Sequence, residues 1–208
     1  MAVEKVVAST LYEPGTNKRI FPIGRHVCAS VAGILSDSRA IVERAREEAR
    51  EYSSSYGREI PLKYLKDRTS MYMHAYTLYS AVRPFGCVVA VGSWNEATGP
   101  ELYCLEPSGV ANGYKGFALG KAKQSAKAEV EKLINVPKTA RELIREAARI
   151  IYIVHDSEKD KHFELELCWV GKETKGLYEI VPQNLYNDAV KYAQDALKSS
   201  SDSDNSMS

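Results

Sequence analysis

A nucleophilic enzyme needs a Ser, Cys or Thr held beside a base, and few residues in this sequence are spaced for that work. Cys28, Cys87, Cys104 and Cys168 are far apart, none sits in a recognised local signature with a His, and the four His residues are equally scattered. Neither C-x-x-C nor H-x-x-x-H spacing occurs, so no metal site and no other cofactor is expected. His155-Asp156 is the one adjacent acid/base pair to weigh. It falls near a predicted helix end, where a cationic side chain facing the last carbonyls is the plainer reading. Gly113, Gly116 and Gly120 approach a phosphate-cradling spacing, but no Lys-Ser or Lys-Thr closes a P-loop and no acidic residue stands where a ribose would be held. They read as turn and close-packing glycines.

Two further stretches could recognise a partner. Residues 43–51 carry Glu and Arg at offsets of three and four, the pattern of a salt-bridged solvated face, with a subunit interface as the sharper reading. Tyr72, Tyr76 and Tyr79 could stack on bases, yet such platforms come with interleaved cations and only Arg68 and Arg83 are near, so packing is expected. The 28 basic and 27 acidic side chains leave a formal net charge of +1, so no whole-molecule field favours nucleic acid or an anionic membrane, and neither is expected as a partner. No apolar run approaches the roughly 20 residues needed to cross a bilayer. Isolated thiols fit a reducing compartment, and the expected location is cytoplasm and nucleus.

The elements that must position these residues follow from hydrophobic period. At 208 residues, 44% hydrophobic and 26% charged, the chain suits one packed domain, expected over residues 1–198. Residues 1–8 read as a strand from their Val content, residues 13–18 as a turn, and 20–23 and 27–32 as short strands. From Asp37 the period changes: Ile41, Ala45, Ala49, Tyr52 and Tyr56 predict an amphipathic helix. After Pro61, Leu62, Leu65, Thr69, Tyr72, Tyr76 and Tyr79 predict a second, and Met71, Met73, Ala75 and Leu78 give it another apolar face, so it is expected to be covered on two sides. Strands return at 87–91, at 102–105 and around Val110. Two helices follow, one from about Lys121 and one opened by a Thr139/Glu142 capping box. Phe163, Leu165, Leu167 and Trp169 alternate as a half-buried strand, and a last helix is expected beyond Pro182. Residues 199–208, Ser- and Asp-rich, are expected to be a disordered acidic tail. Helix pairs interleaved with antiparallel strands predict an α+β fold, two sheets packed between helix layers in a four-layer αββα sandwich. A single-sheet α+β domain is the alternative.

Several runs together resemble the α-type subunits of the proteasome. The family's Ser-Gly-Leu-x-Ala-Asp-Ala-Arg block reads here Val31-Ala32-Gly33-Ile34-Leu35-Ser36-Asp37-Ser38-Arg39. Its Arg-Pro-Phe-Gly turn stands unaltered at Arg83-Pro84-Phe85-Gly86, its Asp-Pro-Ser-Gly hairpin is Glu106-Pro107-Ser108-Gly109, and Ala118-Leu119-Gly120-Lys121 also fits. Residues 150–156 and 163–167, with the acidic tail, are most similar to the subunit at the seventh ring position. The resemblance implies an N-terminal nucleophile hydrolase-like sandwich, neighbouring α subunits in a seven-member ring, and a β ring that carries out proteolysis. In the β subunits a processed amino-terminal Thr is nucleophile and its own amine the base, whereas this sequence opens Met1-Ala2-Val3, so no catalytic residue is expected.

What the resemblance implies instead is shaping of the pore that admits substrates and docking of regulatory particles through their carboxy-terminal tails. The docking cation then falls at Arg19, where the family usually has Lys, with Lys18 beside it. Arg keeps the charge and can bind a carboxylate in a bidentate fork. Ser199 and Ser201 each have Asp three residues on, which suits an acid-directed kinase. The resemblance also places the family's gating segment, first helix and first strand before Met1, so the sequence is expected to be truncated at its amino end. The alternative function is a truncated isoform or fragment that does not assemble.

Overall fold

A computed structural model of the chain describes residues 1–7, 9, 11–13, 15–156 and 162–205, the last seven of these by backbone. Ala8, at the end of the expected first strand, and Pro14, in the expected turn, lie outside the described residues. The elements run β1 (Ala2–Val6), β2 (Ile20–Pro22), β3 (Val27–Gly33), α1 (Leu35–Tyr56), α2 (Leu62–Ala75), β4 (Cys87–Asn95), β5 (Gly99–Leu105), β6 (Ala111–Gly113), α3 (Lys123–Leu133), α4 (Ala140–Val154), β7 (Phe163–Trp169), β8 (Glu179–Ile180) and α5 (Gln183–Asn205). Two sheets result, with strand orders β2-β3-β4-β5-β6 and β1-β7-β8. The two-sheet α+β class therefore holds over the single-sheet alternative. The described chain falls into two compact units, one of residues 1–18, 121–169 and 180–208, the other of 19–120 and 170–179.

In the second unit, α1 and α2 lie on the five-stranded sheet. β4 is central because Val89, Ala90 and Val91 are buried, and it pairs with β3 from Val27↔Ser93 to Gly33↔Cys87. The face of α1 that was read from the sequence is the buried one: Ile41, Ala45, Ala49 and Tyr52 turn inward, joined by Val42, while Tyr56 is exposed at the helix end. Gly57 closes the helix at φ 65, a left-handed conformation cheap only for Gly, and its N–H donates to the Ser53 carbonyl at 2.9 Å.

The helix α2 is covered on one side, not two. Leu62, Leu65, Thr69 and Met73 are buried, but Met71, Leu78 and Tyr79 are 60–67% exposed. The helix also ends at Ala75, earlier than its tyrosine spacing predicts, because the chain tightens into short-range turns. The amides of Tyr76, Thr77 and Leu78 donate to the carbonyls of Met73, His74 and Ala75. Tyr72 and Tyr76 still pack together, their hydroxyls 3.1 Å apart and both rings against Phe85.

In the first unit, β1 and β7 run antiparallel, with Lys5 opposite Glu164 and their charged ends 2.7 Å apart. Ile144 and Ala148 of α4 meet Leu165 and Leu167 of β7 and Ala189 and Ala193 of α5 in one apolar cluster. The alanines let the helices approach closely. Helix α5 continues through Asn205, so its backbone takes in residues 199–205 of the expected tail. A formed helix end adds one hydrogen bond for each further residue, and Ser and Asp are only mildly unfavourable there. Residues 206–208 lie outside the described residues.

The capping box at the start of α4 is present in both halves. The Thr139 amide donates to Glu142 Oε2 at 2.7 Å and the Glu142 amide to Thr139 Oγ1 at 3.3 Å. Thr139→Ala is expected to lower stability by about 1 kcal/mol, read as a shift of the urea midpoint without a change in slope.

Candidate functional site

Arg19 directly precedes β2, and its backbone continues the β2–β3 ladder: the Arg19 carbonyl accepts from the Val31 amide at 3.0 Å. Because strand side chains alternate, burial of Ile20 turns Arg19 to the other face, where Nη1 donates to the Gly33 carbonyl at 2.9 Å. Gly33 ends β3 at φ 116, and a Cβ there would collide with the Gly86 carbonyl oxygen and Cys87 Cα, so only glycine fits. The next residue, Ile34, is extended at φ −69 and ψ 118, caps α1 with no side-chain hydrogen bond, and donates its amide to Gly86 O at 2.9 Å.

Asp37, in the first turn of α1, completes the arrangement. Its Oδ2 accepts from the Gly86 amide at 2.8 Å and from Arg83 Nη1 at 2.6 Å, and its Oδ1 accepts from Arg83 Nη2 at 2.9 Å. Arg83 also donates to the Pro84 carbonyl at 3.0 Å. A carboxylate at a helix amino terminus meets the positive end of the helix dipole, and the two-point guanidinium contact fixes its plane. The Arg83 hydrogen bond, and next the Gly86 amide, hold the Asp37 carboxyl down from an ordinary 3.8 to about 2.

The other sequence-read residues fall elsewhere. Lys18 is exposed and ends the first segment of the other unit. Ser199 and Ser201 lie on the backbone of α5, and their side chains are outside what is described. The Nδ1 of His155 is 2.7 Å from Glu4 Oε1, and its ring lies 4.4 Å from that of Phe163, which explains a His at the end of α4 better than either reading of the sequence. The charged run 43–51 is solvated at Arg46–Glu43, but Glu48 is buried between Arg44 and Arg68, and the Arg68 hydrogen bond holds its carboxyl below the usual range.

No local pattern in the sequence joins Asp37 to Arg83 as a clamp. The partners are 46 positions apart, and an acidic residue in a helix's first turn was the only local sign of it.

A family profile described as "Proteasome subunit" matches residues 1–170. The chain is 47% identical over 198 residues to a Dictyostelium discoideum protein named proteasome subunit alpha type-3, covering 95% of this chain and 79% of the relative. Relatives of the same name from Drosophila melanogaster, 48% identical over 205 residues (99% and 80% covered), and Arabidopsis thaliana, 46% over 198 (95% and 79%), match similarly.

The depressed Asp37 value sets a pH dependence with a definite sign. A carboxyl whose folded value is lowered contributes stability that is fully present above its unfolded value, near 3.8, and is lost as pH falls through about 2. Denaturant titrations of the parent and Asp37→Asn are therefore expected to differ most at about pH 6 and to converge towards about pH 2.

Proposed function

The chain belongs to the proteasome subunit family, and from that premise we propose that it is a non-catalytic α-type subunit that shapes the pore admitting substrates and docks regulatory particles. A member of this family assembles with other proteasome subunits. The partners we propose are neighbouring α subunits in a seven-member ring, β-ring subunits that supply the proteolysis, and regulators that insert carboxy-terminal tails, all in cytoplasm and nucleus. The family match, with relatives named as alpha subunits, carries this reading.

The chemistry of the described residues supports a non-catalytic role. Burial pushes the Cys87 thiol up and the Cys104 thiol up to about 11, the opposite of an activated nucleophile. His26 Nδ1 lies 2.9 Å from the Gly176 carbonyl, and His155 pairs with Glu4. Thr77 Oγ1 comes within 3.4 Å of His74 Nδ1, but it donates to the His74 carbonyl at 2.7 Å and so closes the turn after α2.

Docking rests on Arg19, a guanidinium at the β2 edge that donates to the Gly33 carbonyl, with Lys18 adding positive charge beside it in sequence. A tail carboxylate meeting a guanidinium forms the charge-assisted pair that Arg recognises best. Core particles carrying Arg19→Ala are expected to bind a synthetic regulator-tail peptide at least about tenfold more weakly, the scale of one hydrogen bond to a charged group. Unchanged affinity in a fluorescence titration overturns the docking reading.

We further propose that Ser199 and Ser201, with Asp202 and Asp204 three positions on, are phosphorylated, adding charge that tunes regulator binding. Mass spectrometry of purified particles is expected to find phosphate on one or both. Complete absence of it removes the proposal.

A further inference from the structure

One peptide unit links the Arg19 cation to the start of α1. The Gly33–Ile34 peptide presents its carbonyl to Arg19 Nη1 at 2.9 Å and its N–H to the Gly86 carbonyl at 2.9 Å. A trans peptide is planar, with C=O and N–H pointing to opposite sides, so fixing one end aims the other. Gly86 is itself held on both sides. Its carbonyl takes the Ile34 amide, and its own amide donates to Asp37 Oδ2 at 2.8 Å, while Arg83 grips the same carboxylate through both of its terminal nitrogens.

We infer that Asp37, clamped by Arg83, is a positioning residue for Arg19 that orients the docking guanidinium through the Gly86 backbone and the Gly33–Ile34 peptide. The inference rests on the reading of Arg19 as the tail-docking cation. Asp37 does not touch the incoming carboxylate in this scheme; it helps to set where the Gly33 carbonyl points, and that carbonyl restrains the Nη1–H that donates to it. Three features make the relay stiff. Gly33 is paired with Cys87 at the end of the β3–β4 ladder and packs closely on the Gly86 and Cys87 backbone, which limits movement of its peptide. Asp37 is buried and takes a backbone and a two-point side-chain contact. Ser38 Oγ donates to the Ile34 carbonyl at 2.9 Å, which holds the following peptide unit as well. A carboxylate recognised by a planar fork requires that plane to be set before binding, because ordering a long side chain at the moment of contact weakens affinity.

The test uses assembled core particles and two synthetic tail peptides, one with a free terminal carboxylate and one amidated, titrated against the parent, Asp37→Asn, Arg19→Ala and the double variant. Asp37→Asn is expected to weaken the free-acid peptide about threefold to tenfold, the size of ordering one long side chain, with little effect on the amide. In the Arg19→Ala background it is expected to cause no further loss, because the cycle then lacks the group through which Asp37 acts. Loss of equal size in both backgrounds, or with both peptides, assigns Asp37 a general structural role and overturns the inference. Full affinity in Asp37→Asn alongside a weakened Arg19→Ala overturns the inference alone. Full affinity in Arg19→Ala overturns the docking reading and the inference with it. If Asp37→Asn fails to assemble, Arg83→Lys, which keeps the charge but loses the two-point fork, is expected to give the same pattern.

Discussion

The close approach of two backbones at Gly33 and Gly86 governs the geometry of the five-stranded sheet's helical cover. β3 and β4 pair to their ends at Gly33↔Cys87, and the chain must then leave the sheet and start a helix almost at once. It does so because Gly33 adopts φ 116 and lets the Ile34 amide reach the Gly86 carbonyl. A residue with a Cβ would push the strands apart at that point, and α1 would begin at another height over the sheet. Ile41, Val42 and Ala45, which seal the sheet from above, are placed by that start.

Charged groups then fix what apolar packing leaves adjustable. Packing tolerates small slides of a helix along its groove, whereas a buried carboxylate tolerates little displacement from its cations. Asp37 ties the first turn of α1 to the segment before β4 through Arg83. Glu48, three turns on, ties the same helix to α2 through Arg68 and is also met by Arg44. The Arg44 guanidinium lies 5.6 Å from the centre of the Tyr72 ring, so its charge is balanced partly by an aromatic face while its Nε has no hydrogen-bond partner among the described residues. Such pairs add specificity of arrangement more than net stability, since desolvation offsets much of their attraction.

What the sequence made legible tracks how local the determining interaction is. The buried stripe of α1 repeats at helical spacing within one segment, and the Thr139/Glu142 capping box is decided over four consecutive residues. Both could be read without knowing the rest of the fold. The end of α2 could not, because Tyr76 and Tyr79 keep the helical period while the backbone tightens after Ala75. His155 depends on Glu4, 151 positions away, and Asp37 on Arg83, 46 away; neither spacing carries a signal, because only the assembled sheet brings those residues together. Nothing in the immediate neighbours of Arg19 announces its hydrogen bond to Gly33.

An arginine at this position has a consequence that a lysine would not. An ammonium is a compact point charge on a flexible stem, and a single carbonyl contact leaves its direction loosely set. A guanidinium is planar with five donors in fixed relation, so the hydrogen bond from Nη1 to the Gly33 carbonyl also narrows the directions its other N–H groups can take. The direction of that carbonyl is in turn fixed by the planarity of its peptide and by the Gly86 backbone. The direction of the Arg19 donors therefore depends on strand geometry some distance from the charge, including the glycine at position 33.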